Sequence, residues 1–250
     1  MYRLKEMPPV RAMNFIHAPP QALKDAYPDP TDALCVRAAI FRTMNDDPYL
    51  LVLQRASTDS MPNRWELPGG MNGESRLLLV ADRLIGGVDD QDDSIKNAVY
   101  REIKEETGLT AVWIVQEVGH GHRWQDVKGE KIIHNLYLTF VVESEEIELL
   151  ERAGGEGSKT TTGLTYGEAT RSAPTTATAN VTTPNELDAV PVKLSDAEHQ
   201  RYLWVSEDEI AMKCGGAGLQ PLEFTSEETR QAMLQAFAVQ REVIRARKTV

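Results

Sequence analysis

Apolar and polar positions along the chain change period several times, and each change marks an element. Ala33 to Met44 (ALCVRAAIFRTM) and Tyr49 to Arg55 are apolar-rich runs of strand character, split by Asn45-Asp46-Asp47-Pro48, which has the composition of a turn. Trp65 to Leu67 predicts a short strand that ends in Pro68-Gly69-Gly70. From Ser94 to Thr107 the period becomes helical: Ile95, Ala98, Val99 and Ile103 fall on one face, and no Gly or Pro interrupts them. Ser94 is the expected N-cap, with Asp89, Asp90, Asp92 and Asp93 just ahead of it at the positive end of the helix dipole, and Gly108 stops the helix. Ala111 to Glu117 and Lys131 to Glu143 predict two more strands, the second long and central, and Arg201 to Val205 a last one. Ser206-Glu207-Asp208-Glu209 reads as a capping box for a short helix. Thr225 to Lys248 predicts the final helix, whose stripe of Met233, Leu234, Phe237 and Ile244 suits core or homodimer packing.

Three stretches fall outside this rhythm. Residues 1 to 31 are punctuated by Pro8, Pro9, Pro19, Pro20, Pro28 and Pro30 and predict an extended arm, followed by one domain over 32–250. Gly154 to Pro191 is rich in Thr, Gly, Ala and Ser and almost free of large apolar side chains, which predicts a disordered loop within that domain. Gly119-His120-Gly121-His122-Arg123-Trp124 predicts a loop, facing substrate at most, because two histidines alone make a poor metal site.

Composition narrows the function classes. A length of 250 residues with 41% hydrophobic content suits one domain with additions. A net charge of −11 argues against non-specific nucleic-acid binding, which needs a basic face. The two cysteines, Cys35 and Cys214, have no metal or redox spacing. No apolar run approaches the roughly twenty residues of a membrane span, and the first residues lack the apolar core of a secretory signal, so the expectation is a cytoplasmic protein with no membrane partner. The basic, acid-poor N-terminus leaves a mitochondrial reading open.

The chemistry concentrates on the helix at 94–107. Glu102, Glu105 and Glu106 stand at i, i+3 and i+4, which gathers three carboxylates on one side. Like charges at that spacing repel unless a cation lies among them, and carboxylate oxygens are natural ligands of Mg²⁺ or Mn²⁺. Arg101 is placed to hold one of them by a bidentate contact. A charge run of this kind, taken alone, is better explained by a solvated helix face.

The surrounding letters decide between these. Gly87, five residues, Asp93, seven residues, then Arg101-Glu102-Ile103-x-Glu105-Glu106-x-Gly108-Leu109 resembles the Nudix box, matching eight of its nine fixed positions. With Trp65-Glu66-Leu67-Pro68-Gly69-Gly70 ahead of it, the chain looks like fungal-type members that read WELPGGGVDD before the helix. The resemblance implies an α/β fold, the Nudix α/β/α sandwich with a mixed β-sheet. It implies hydrolysis of a nucleoside diphosphate linked to another moiety, with Mg²⁺ or Mn²⁺ as cofactor. Glu102, Glu105 and Glu106 become the expected metal ligands, with Glu105, Glu102 and Arg101 as the catalytic group. One of the glutamates can serve as base instead, since the box does not fix the base. Asp93, Gly87 and Gly108 become supporting residues. Arg55 stands where the family often places a basic residue by the substrate, and Gly69 and Gly70 would let the backbone approach a phosphate. A further acid downstream is expected among Glu143, Glu145 and Glu146.

Two departures bear on activity. Asp93 replaces the usual Glu, with Asp92 competing for its role, and sixteen residues, Met71 to Gly86, part the Gly-Gly from the box. Removing them restores WELPGGGVDD. The stretch reads either as a loop insertion with an amphipathic helix around Arg76 to Ile85, or as an in-frame retained intron, because codons for Gly70-Met71 and Ile85-Gly86 can carry donor and acceptor dinucleotides. Two readings of function therefore stand: a pyrophosphohydrolase, and an impaired Nudix-fold nucleotide-binding or regulatory module.

Overall fold

A computed structural model describes residues 13–26, 29, 31–44, 46–72, 92–128, 131–154, 167–168, 190, 192–215 and 220–248. A 3-10 turn at Met13–His17 leads to α1 (Pro20–Ala26), then the hairpin of β1 (Ala33–Met44) and β2 (Asp47–Arg55), which turns at Asp46 with φ 70°. Next come β3 (Trp65–Glu66), β4 (Gly69–Asn72), α2 (Ile95–Thr107), β5 (Ala111–Glu117), β6 (His122–Lys128) and β7 (Lys131–Ser144). The order closes with α3 (Glu145–Gly154), β8 (Gly167–Glu168), β9 (His199–Val205), α4 (Glu207–Met212), a small ladder of β10 (Cys214–Gly215) and β11 (Gln220–Pro221), and α5 (Glu227–Lys248).

The sheet runs β5-β7-β1-β2-β9-β8, with β3 on β2, β4 on β1 and β6 on β7. It is mixed: β1 and β7 are parallel from Ala33↔Asn135 to Ile40↔Val142, while β1 pairs antiparallel with β2 and with β4. Strand β1 is buried on both faces, so its letters read as a run and not as an alternation. Its even positions Leu34, Val36, Ala38 and Ile40 pack with Ile95, Ala98, Val99 and Ile103 of α2. Ala39 and Phe41 pack the other way, with Met233, Ala236 and Phe237 of α5, and the Phe41 and Phe237 rings meet edge to face with centroids 5.0 Å apart. Helices thus cover both faces of the sheet, the expected α/β/α sandwich with a mixed sheet.

Several boundaries differ from expectation. Residues 13–26 are helical where an extended arm was predicted, because Ile16 and Leu23 find cover against the core beneath α2. The loop expected at His122-Arg123-Trp124 is the start of β6, which pairs along β7 from His122↔Tyr137 to Lys128↔Lys131. Of the inserted stretch, Met71 and Asn72 extend β4 beside Cys35 and Leu34, while 73–86 lie outside the described residues. The predicted loop over 154–191 also lies mostly outside them; within it Gly167–Glu168 pairs with β9 and Val190 is buried.

Candidate functional site

Helix α2 begins and ends as its sequence directs. Ser94 is extended and its hydroxyl accepts from the Asn97 amide at 3.2 Å, while Gly108 adopts φ 70° and its N–H returns to the Lys104 carbonyl at 3.1 Å. The frame fixes which acid of the last two turns faces where. Glu102 and Glu106 are buried, at 2% and 4% exposure, and Glu105 is exposed.

Arg101 ties the acidic turn together. Its Nη1 donates to Glu102 at 2.7 Å and to Glu105 at 3.1 Å, and its Nη2 donates to Asp92 at 3.0 Å. Burial alone would lower its pKa, but the hydrogen bond to Asp92 and the charge of Glu102 outweigh that and raise it. The supporting contact expected of Asp93 falls to Asp92: Asp93 immediately precedes the N-cap and is exposed. Gly87 lies outside the described residues.

Glu106 reaches across to the sheet and accepts the Gly69 amide at 2.7 Å. Burial pushes the Glu106 carboxyl well above the ordinary range, the charge of Glu102 adds to the rise, and the Gly69 N–H opposes it. The Gly69 N–H is therefore used to position Glu106. Gly70 pairs with Val36 in the β4 ladder, and both glycines line the cleft.

That cleft has a volume of about 360 Å³ and opens where β1, β2, β6 and β7 meet the N-terminal turn of α5. At one end Glu106, Glu198 and His199 bring ligand atoms within 4.8 Å of one another. Arg55 lines the same cleft, but its guanidinium is committed to Glu66, at 2.8 and 3.0 Å, and to Asp59, at 2.7 Å. His199 Nε2 lies 3.3 Å from Glu66, while its Nδ1 is buried with no hydrogen-bond partner among the described residues. Burial raises the Glu198 carboxyl, against the pull of His199, and Glu105 and Asp59 add to the rise. Two carboxylates and an imidazole this close could hold a divalent cation, and the mutual repulsion of the acids is what such an ion would relieve.

Of the predicted metal set, only Glu106 falls in this group; Glu102 and Glu105 stand on the same turn, coupled by charge to Glu106 and Glu198 respectively. The candidates for a further downstream acid, Glu143, Glu145 and Glu146, are not brought to this group. Glu143 pairs with Arg247, Glu146 accepts from Thr110 and Ser144, and none of the three lines the cleft. Glu198 and His199 were missed because no spacing links them to the box. The available signal was an acid beside an imidazole at the head of a predicted strand, which register places at Arg55↔His199.

Comparison with known proteins gives a consistent family. The family model for the NUDIX domain matches residues 33–222. Among solved structures, the NUDIX domain of Shewanella oneidensis NrtR complexed with ADP ribose is 15% identical with a TM-score of 0.43, covering 88% of this chain and 97% of that one. A C. elegans Ap4A hydrolase binary complex is 16% identical with a TM-score of 0.40, covering 84% and 98%. A NUDIX hydrolase from Nitrosomonas europaea is 16% identical with a TM-score of 0.43, covering 84% and 90%. No curated protein matches the chain.

Proposed function

We propose, for a chain that belongs to the NUDIX domain family, that it hydrolyses the pyrophosphate bond of a nucleoside diphosphate linked to another moiety, with Mg²⁺ or Mn²⁺. The observation that carries this reading is the convergence of Glu106, Glu198 and His199 at one end of a cleft large enough for a small nucleotide. These three would hold the ion, with Glu102 behind them. When bound, the ion would neutralise the diphosphate and polarise the phosphorus towards attack by water.

The chain's own residues do the rest. Arg101 fixes the Glu102 and Glu105 carboxylates relative to each other and to Asp92. The Gly69 amide fixes Glu106. Glu105 is the exposed acid of the turn and accepts the proton from the attacking water. Glu66, held by Arg55 and facing His199, orients the imidazole so that Nδ1 points away from that bond.

The test is release of a nucleoside monophosphate from a panel of nucleoside diphosphates linked to other moieties, with Mg²⁺ or Mn²⁺, comparing wild type with Glu105→Gln. A drop of about 10²–10⁴-fold is expected for loss of a general base. Equal turnover in both would remove Glu105 from the mechanism, and no turnover of any compound with either ion would favour the nucleotide-binding module.

A further inference from the structure

A second group of residues lining the cleft carries a different chemistry. Three neighbouring strands present one face there: His122 and Trp124 from β6, Asn135 and Tyr137 from β7, and Arg37 from β1, all lining the cleft. The His122 and Tyr137 rings are stacked, 4.8 Å between centroids and 5° between planes, and the Arg37 guanidinium lies 4.1 Å over the Tyr137 ring centre. Trp124, directly across the ladder from Asn135, is 43% exposed.

Two polar groups on this wall are costly as they stand. Arg37 is 8% exposed, and its Nη1 is buried with no hydrogen-bond partner among the described residues. Asn135 is 1% exposed, and its Oδ1 is likewise buried and unpartnered. Burial lowers the Arg37 pKa, a direct sign that its charge is poorly compensated. Among the described residues no carboxylate lies within salt-bridge distance of Arg37, though the charge of Glu66 reaches it, and such a cation beside a carboxamide with an unused acceptor is a liability for folding alone. It becomes an asset when a ligand supplies an acceptor to the one and a donor to the other.

We infer that this wall is a nucleobase-reading subsite selective for bases with a lactam edge, a ring carbonyl next to a ring N–H, as in guanine and uracil. Arg37 Nη1 donates to the carbonyl oxygen, Asn135 Oδ1 accepts from the ring N–H, and the base lies against the exposed face of Trp124. Adenine and cytosine carry a bare ring nitrogen where guanine and uracil carry the ring N–H, so that position has no proton for Asn135 Oδ1 to accept. Burial first, and the charge of Arg37 next, hold the His122 imidazole down to about 4, so at neutral pH His122 adds no second cation to this wall. The subsite gives the proposed hydrolase its specificity and rests on that reading for its place at the diphosphate cleft.

Binding of GMP, UMP, AMP and CMP to the full chain, measured by calorimetry in EDTA, tests the subsite without asking for hydrolysis. GMP and UMP are expected to bind on the order of ten- to a hundredfold tighter than AMP and CMP. Arg37→Met should erase that preference, Trp124→Leu, at a half-exposed position, should weaken all four alike, and Glu105→Gln should leave the preference intact. Four equal affinities in the wild type, or no binding at all, would overturn the inference whatever the Arg37 variant does, and so would a preference that survives Arg37→Met in a folded protein. Because no ion and no scissile bond are present, a failed hydrolysis assay leaves this result standing, and the reverse also holds.

Discussion

Gly69→Ala is the sharpest perturbation the structure offers, because one methyl group attacks the link between sheet and catalytic helix. Gly69 sits at φ +144°, in backbone space that side chains rarely adopt, and pairs with Arg37 in the β4–β1 ladder. A Cβ there would lie 2.7 Å from the Arg37 Cα and deep inside the contact distance of the Val36 carbonyl oxygen. Both obstacles are backbone of a central strand, so β4 must move. Positive-φ strain costs about 1–3 kcal/mol. Losing the charge-assisted bond to Glu106 costs about 1.5–3 kcal/mol more. The sum, roughly 2.5–6 kcal/mol, is a large share of the 5–15 kcal/mol typical of a folded domain. Urea unfolding should show a midpoint lowered by about 2 M for a slope near 2 kcal/mol/M. A Glu106 displaced by about 1 Å should also lose on the order of a hundredfold in turnover. Gly70→Ala, at a neighbouring ladder position without positive φ, is the control and should lose much less. A Gly69→Ala protein with an unchanged midpoint and unchanged turnover would refute the argument that this glycine places Glu106.

Three further outcomes are expected. Glu198→Gln should weaken Mn²⁺ binding on the order of ten- to a hundredfold, read by calorimetry; an unchanged affinity would remove Glu198 from the ligand set. The folded His122 pKa, at about 4, lies below its ordinary 6.5, so the unfolded chain binds more protons between these values. Stability is then full above pH 6.5 and falls as pH drops towards 4, against the facing charges of Arg37 and Glu228; a titration by NMR with a midpoint near 6.5 would contradict this. Deleting 71–86 puts Gly87 and Val88 next to Gly69-Gly70, where Met71 and Asn72 now contribute ladder partners for Cys35 and Leu34. Soluble yield or turnover should rise, and a deletion protein worse in both would count against the retained-intron reading.

Elements whose signal is local were legible in the sequence. Ser94, the Ile95-Ala98-Val99-Ile103 stripe and Gly108 specify α2 within their own span, and Ser206 with Glu209 specifies α4, both sides of the capping box being present. Strand β1 matched its predicted ends because nearly all of its length is buried between two helical layers, with only Arg37 and Arg42 breaking the apolar letters before Thr43. What was not legible depends on pairing between distant segments. His122-Arg123-Trp124 has glycines ahead of it and polar letters within it, and becomes a strand because Tyr137, Leu136 and Asn135 offer it a ladder. Of the candidate metal group, only Glu106 was named from the sequence. The box glutamates are neighbours in sequence, so their gathering follows from helical spacing alone. Glu198 joins Glu106 only through the β2–β9 register, and Arg37 meets Tyr137 only because β1 and β7 run parallel at a fixed offset.

That division gives the cleft its two characters. Its acidic end is built on the last two turns of a helix whose letters are constrained by one another, so any change at Glu102, Arg101 or Glu106 disturbs several contacts at once. Its second group is assembled from single residues on β1, β6 and β7, each of which can change without altering the ladder that carries it. Bond cleavage would then depend on the part that tolerates little variation, and choice of base on the part that tolerates much. The same sheet can accordingly keep one chemistry while its ligand preference is altered at Arg37, Trp124 or Asn135. A swap confined to those three positions should shift which nucleotide binds without lowering affinity for Mn²⁺ at Glu106, Glu198 and His199; loss of both together would mean that the two groups are not separable.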